Sequence, residues 1–304
     1  MRPTLLATAL VATLALAGCG GGKDAKQDGG GPPGHKGGSV TLLLPTDVDF
    51  LDPGHTYYTP GYLVAYATQR PLYSMRPGTA EPVPDLASGA PEISGDGMTI
   101  TVHLRKGVRF SPPVNREVTA KDVEYAMERF FTANVGGQYG AYFADVEGVP
   151  DRPGRFRDIS GIQATDDHTL VIRLTRPSGP LVAAALVMPI TAPVPADYAR
   201  RYDAKQPSTY NEHVVATGPY MVKRYRPGHS IQLVRNPNWD PATDDKPAYL
   251  DSILIRTDAT DAAAAAQRTL TGSHLLTGGG VPAALARRLV PKYPGQSATL
   301  PLGG

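Results

Sequence analysis

The chain has 304 residues, 41% of them hydrophobic, with 30 Lys and Arg against 28 Asp and Glu for a net charge of +2. That near balance, with no Lys/Arg-rich block, excludes a protein that works by electrostatic attraction to nucleic acid or to an anionic surface. The single cysteine excludes a disulfide within the chain, and the length suits about two domains.

Residues 1–19 read as an export signal. Met1-Arg2 gives a short basic start, Leu5 to Leu16 an apolar run, and Leu16-Ala17-Gly18-Cys19 a small-residue site that ends on the cysteine. The run falls short of the roughly 20 apolar residues that a membrane span needs. This ending resembles a bacterial lipobox, which implies lipidation of Cys19 after cleavage; each buried lipid methylene then adds about 0.8 kcal/mol of anchoring. Residues 20–37, rich in Gly, Pro and small polar residues, cannot bury enough apolar surface to offset their ordering, and read as a flexible tether.

In the body, Ser39 to Leu44 is a β-rich run stopped by Pro45, the pattern of a buried strand, and Leu51-Asp52-Pro53-Gly54 is a turn. Tyr62 to Ala67 predicts a short helix, after which Pro77, Pro82 and Pro84 break the chain at a domain crossing. Met98, Ile100, Val102 and Leu104 alternate with polar residues, predicting a strand with one apolar face. Thr119 and Asp122 make a variant capping box ahead of Val123, Ala126, Met127 and Phe130, whose i, i+3, i+4, i+7 spacing predicts an amphipathic helix with a core-facing stripe. Thr169 to Leu174 is another alternating strand. Tyr220 to Lys223 and Ile231 to Val234 flank a Pro227-Gly228 turn as a hairpin, and Ala262 to Leu270 and Pro282 to Val290 predict helices. Strands and helices interspersed with hairpins give a mixed α/β class.

No nucleophile elbow, phosphate loop, H-E-x-x-H or C-x-x-C motif occurs, and none of the seven histidines pair at metal-ligand spacing. Carboxylates are plentiful but no pair stands out as acid and base. The chain therefore reads as no enzyme, with neither metal nor cofactor.

A series of blocks carries a resemblance: Leu51-Asp52-Pro53, Pro82 to Ala87 (PVPDLA), Thr101 to Phe110 (TVHLRKGVRF), Val118 to Val123 (VTAKDV), Ala164 to Leu170 (ATDDHTL), Thr217-Gly218-Pro219-Tyr220, Leu233 to Trp239 (LVRNPNW) and Tyr249-Leu250-Asp251. In this order, behind a lipobox, they resemble the family 5 extracellular solute-binding proteins, the peptide and nickel receptors of ABC importers.

The resemblance implies a periplasmic-binding-protein-like fold of two lobes with an inserted extra domain. Lobe I would hold residues 38–73 and 180–264, the extra domain 74–179, and the second lobe would begin at 265. Family members are longer, so most of that second lobe is expected to be missing from this chain. The implied ligand is an oligopeptide, met by main-chain hydrogen bonds and roomy wet pockets. Two segments match ligand-facing positions: Tyr57, Tyr58 and Thr59 after the Leu51-Asp52-Pro53 turn, and Tyr139 with Tyr142. Tyrosine offers an apolar face and a hydroxyl at small entropic cost. Thr217-Gly218-Pro219-Tyr220 reads as a structural turn feeding a strand.

The expected role is a monomeric, lipid-anchored receptor on the extracellular face of the cytoplasmic membrane, handing peptides to ABC permease subunits. Two alternatives stay open: a receptor for another small solute (nickel chelate, haem or sugar), and a truncated surface lipoprotein that has lost transport.

Overall fold

The computed structural model describes residues 35–75, 81–272 and 274–292. Cys19, the signal segment, most of the tether, Pro77 and the last twelve residues lie outside the described residues. Among the described residues no helix is long and apolar enough to cross a membrane.

The first strand, β1 (Ser39–Leu43), leads through a long turn into α1 (Thr59–Thr68). A ribbon of β2 (Tyr73–Met75) and β3 (Pro82–Pro84) follows. The next sheet takes β4 (Glu92–Ile93), β5 (Thr99–His103), β6 (Ile162–Asp166) and β7 (Thr169–Arg173), with α2 (Ala120–Phe130) inserted between β5 and β6. Helices α3 (Gly179–Ala185) and α4 (Ala196–Asp203) lead to the hairpin β8 (Tyr220–Arg226) and β9 (Ser230–Arg235), and then to β10 (Ser252–Arg256). The described body closes with α5 (Ala262–Thr271), β11 (Leu275–Thr277) and α6 (Ala283–Leu289).

Two sheets organise these elements. The five-stranded one runs β11-β1-β10-β9-β8, with β1 parallel to both neighbours and β10, β9 and β8 antiparallel. Its register places Leu42 beside Ile255 and Ile255 opposite Ile231, so one face buries these with Leu44, Val48, Leu51, Val64 and Leu233. β1 is less buried than its sequence suggests: only Leu43 is fully enclosed, and Ser39 is exposed. The four-stranded sheet runs β4-β5-β7-β6, all antiparallel. There the alternation works as predicted: Ile100, Val102, Leu170, Ile172 and Ile162 are buried on one face.

Helix α2 closes that core. Val123, Met127 and Phe130 of its apolar stripe enter the core of the four-stranded sheet, whereas Ala126 turns into a smaller cluster with Tyr125, Val194, Ala199 and Tyr210. The capping box is present, with the Asp122 carboxylate accepting from the Thr119 backbone N–H at 2.8 Å. The same carboxylate takes two bonds from Arg116, so the helix start is tied to the preceding loop.

The proline-rich stretch departs from expectation by forming a strand. Asp85 N donates to Leu72 O (3.0 Å), which fixes the hydrogen-bonding parity so that Val83, opposite Ser74, is the residue that must donate to β2. Pro82 and Pro84 flank it with their nitrogens turned away from β2, where a missing N–H costs the ribbon nothing. Arg70, nearly fully buried just before the ribbon, donates to Asp85 (2.7 Å) and to the Thr243 carbonyl and hydroxyl. Lys246 reaches Asp85 at 2.5 Å, pinning the loop before β10 to the ribbon. Thr217-Gly218 is structural, as read: both N–H groups donate to Thr68 O, and a Cβ on Gly218 would stand 2.9 Å from the Thr68 carbonyl carbon.

Glu128 on α2 is buried and accepts from Ile159 N (2.8 Å). Burial, with Glu124 and Asp158 close by and only partial relief from Ile159 N–H and Arg200, pushes its carboxyl up to about 7. A carboxyl raised in the folded state favours folding at low pH and loses that contribution as pH climbs from the unfolded value of 4.5 through about 7. Glu128→Gln keeps an acceptor for Ile159 and removes the charge. Urea unfolding should show the variant more stable than the parent at pH 8 by on the order of 1–2 kcal/mol, and no different at pH 4.5; equal stabilities at pH 8 would contradict this account.

Candidate functional site

The turn between β1 and α1 carries the first tyrosines, and buried charge fixes its shape. Asp52 is almost fully buried and receives Arg129 Nη1 and Nη2, each at 2.8 Å. Arg129, fully enclosed on α2, also donates Nε and Nη2 to Asp203 at 2.7 and 2.6 Å. Tyr125 and Ser208 hydroxyls complete Asp203, and the Tyr210 ring lies 4.9 Å beneath the guanidinium. Burial alone would pull Arg129 below its ordinary range; Asp52 and Asp203 reverse that and hold it above. Burial likewise opposes ionisation of Asp203, but Arg129, Ser208 and Tyr125 together hold its carboxyl below the usual range.

From Asp52 the hydrogen bonds run outward. Its carbonyl accepts from His55 and Thr56 N–H (3.0 Å each), and its carboxylate from Gly54 N–H. Gly54 has no room for a side chain that does not crowd Arg129, since a Cβ there would stand 3.0 Å from Nη1. The Thr56 hydroxyl donates to Asp49 Oδ1 (2.7 Å), while Tyr57 and Tyr58 N–H both donate to Asp49 Oδ2 (2.5 and 3.0 Å). Asp49 thus anchors the lead-in to α1 on the outside as Asp52 anchors the loop within. Gly61 is required there: a Cβ would fall 1.8 Å from the Thr56 hydroxyl oxygen.

On this support stands a cluster of tyrosines. Tyr57 stacks on Tyr139 with centroids 5.1 Å apart and planes at 25°. Tyr62 meets Tyr139 edge-on at 6.2 Å, Tyr66 lies 6.2 Å from Tyr62, and Tyr142 lies 6.4 Å from Tyr139. The Tyr139 hydroxyl donates to the Tyr57 carbonyl at 3.4 Å. Burial and then the bond with Tyr139 raise the Tyr62 phenol well above its ordinary value, and burial raises Tyr139, so both stay neutral hydroxyls. The cluster is open to solvent: Tyr57 is 49% exposed and Tyr142 52%.

Of the residues singled out from sequence, Tyr57, Tyr139 and Tyr142 converge. Tyr58 and Thr59 are exposed at the start of α1, and neither is in ring contact with the cluster. Tyr62 and Tyr66 belong to it and were missed, though Tyr58, Tyr62 and Tyr66 recur every four residues and so share one helix face. Asp49 gave no sequence signal. Among the described residues no group of three or more His, Cys, Asp or Glu is placed to hold a metal.

The family model for bacterial extracellular solute-binding proteins, family 5, matches residues 81–288, well over half the chain. The chain belongs to this family. Among family 5 relatives, di/tripeptide-binding protein 2 of Pseudomonas aeruginosa (strain UCBPP-PA14) is 31% identical over 220 residues, covering 67% of this chain and 40% of that protein. The dipeptide-binding protein of Escherichia coli (strain K12) is 33% identical over 183 residues, covering 55% and 32%. Of solved structures, clavulanic acid biosynthesis oligopeptide binding protein 2 matches with a TM-score of 0.72 and 33% identity over 84% of this chain and 46% of its own. The periplasmic binding protein DppA of Helicobacter pylori, in complex with the peptide STSA, matches with a TM-score of 0.68 and 26% identity, covering 86% and 50%. The fold is therefore the mixed α/β fold of periplasmic binding proteins, and the chain spans about half the length of these solved relatives or less.

Removing the Arg129 charge tests what supports the family 5 chain's tyrosine turn. Arg129→Met leaves two carboxylates out of water without a cation and should cost about 3–5 kcal/mol in urea unfolding followed by circular dichroism. A loss below about 1 kcal/mol would show that the two carboxylates do not depend on Arg129.

Proposed function

We propose that this chain is the ligand-capturing component of an ABC importer for short peptides, tethered to the extracellular face of the membrane through lipid on Cys19. What carries the reading is its kinship, over 220 residues, with a protein named for di- and tripeptide binding. The open tyrosine cluster supports it: Tyr57 and Tyr142 present half-exposed rings about the partly buried Tyr139, and Tyr57 stands on a turn that buried charge holds still. Rigid amphipathic rings contact a flexible ligand with little entropy lost on either wall. Tyr58 and Thr59, exposed at the head of α1, extend that surface. The chain acts as a monomer that hands its peptide to permease subunits, and it catalyses nothing itself.

In this reading the five-stranded sheet is lobe I. It draws β1 from residues 38–73, β8, β9 and β10 from residues 180–264, and its edge strand β11 from beyond residue 265, where the second lobe is expected to begin, while the four-stranded sheet lies wholly within 74–179 as the extra domain. The tyrosine cluster joins the two, taking Tyr57 and Tyr62 from one and Tyr139 from the other.

Native mass spectrometry of the full chain, purified gently from a bacterial host, should release short-peptide masses on activation. Tyr139→Ala should weaken that capture by about tenfold in calorimetric titration with the recovered peptide. A bare protein mass would overturn the receptor reading, and unchanged affinity in the variant would remove Tyr139 from the site.

A further inference from the structure

The tyrosine cluster has an electrostatic setting that its rings alone do not reveal. Elsewhere the chain covers aromatic faces with its own arginines. Arg116 lies over Phe110 at 5.2 Å, Arg200 over both Tyr125 and Phe156 at 5.0 Å, and Arg201 over both Tyr198 and Tyr202 at 4.7 Å. Buried Arg129 does the same on Tyr210. No Lys or Arg lies over a ring of the tyrosine cluster among the described residues, although Tyr57 and Tyr142 are about half exposed.

The surrounding charge is negative. Asp49 binds Phe50, Tyr57 and Tyr58 N–H and the Thr56 hydroxyl, all neutral donors. Asp47 likewise binds the Tyr225 hydroxyl and Gly228 N–H, and neither carboxylate forms an ion pair with Lys or Arg among the described residues. Behind them, one guanidinium faces the two carboxylates of Asp52 and Asp203, leaving a negative charge over. His55, stacked on Phe50 at 3.4 Å, does not compensate: burial outweighs the pull of Asp52 and Asp49 and holds it below its ordinary range, neutral at pH 7. Aromatic faces backed by unpaired carboxylates attract a cation more strongly than either feature does alone.

We propose that the tyrosine cluster takes a cationic side chain of the bound peptide, an arginine guanidinium seated against the rings of Tyr57, Tyr139 and Tyr142 with the Asp49 charge behind it. The guanidinium fits better than an ammonium because it is planar, weakly hydrated and stacks on rings, as this chain's own arginines do. A neutral aromatic side chain would use the same faces and leave the carboxylates unanswered. The inference rests on the peptide-capture reading and adds a preference to it.

Citrulline matches arginine in shape and lacks its charge, so it isolates the claim. Calorimetric titration of the full chain, in mild detergent and freed of bound peptide, would compare the tripeptides Ala-Arg-Ala, Ala-citrulline-Ala and Ala-Ala-Ala. The arginine peptide should bind about tenfold tighter than the citrulline peptide, with the gap narrowing as salt is raised. In Tyr57→Leu, whose backbone bond to Asp49 is untouched, the gap should shrink to about twofold. Equal affinity for the arginine and citrulline peptides would overturn the cation preference and leave peptide capture standing. A gap undiminished in both Tyr57→Leu and Tyr142→Leu would place the cation elsewhere and overturn it too. Failure of all three peptides to bind would overturn the preference together with the reading beneath it.

Discussion

A guanidinium removed from water must find its counter-charges or it does not stay there, and Arg129 finds two. Asp52 and Asp203 reach it from a turn before α1 and from the end of α4, so one side chain on α2 fastens three segments that are far apart in sequence. The cost of desolvation makes the arrangement close to all-or-none: with every partner in place the charges are satisfied, and with any one absent a bare charge is left in the interior. The turn that carries Tyr57 and Tyr58 therefore inherits its rigidity from the core. Asp49 transmits that order to the surface, because the N–H groups it holds belong to the tyrosines themselves.

Arg70 repeats the solution at the other end of α1. It sits with Asp85 from the ribbon and Thr243 from the loop before β10, and Lys246 shares the carboxylate from the solvent side. Between these two ionic knots, α1 and the segments flanking it are fixed at both ends. The two hydrophobic cores need no extensive merging to hold their positions, since buried ion pairs specify geometry that apolar contact alone leaves degenerate.

Much of the fold was readable because it depends on neighbours in sequence. The alternation through Met98 to Leu104 and Thr169 to Leu174, the capped helix at Thr119 and the hairpin about Pro227-Gly228 are local patterns, and each appears where the residues place it. The β3 strand was not readable: proline content argues against strands unless one knows which edge faces the partner, and that parity is set by Leu72 and Asp85. In the candidate site Tyr57 and Tyr139 were reached through resemblance, and no spacing rule joins residues so far apart. Arg129 carries no signal of its own in the helix pattern; its burial follows only from two carboxylates that arrive from elsewhere in the chain. Tyr62 and Tyr66 are the exception, since their four-residue recurrence was present in the sequence and was read as ordinary apolar content.

The two prolines of β3 carry a consequence beyond tolerating the ribbon. Their nitrogens line its outer edge, where another strand would have to receive N–H groups in order to add on. An edge without donors is a poor template for a neighbour, so the β3 side of this two-stranded ribbon is protected against edge-to-edge pairing without needing a charged gatekeeper in β3.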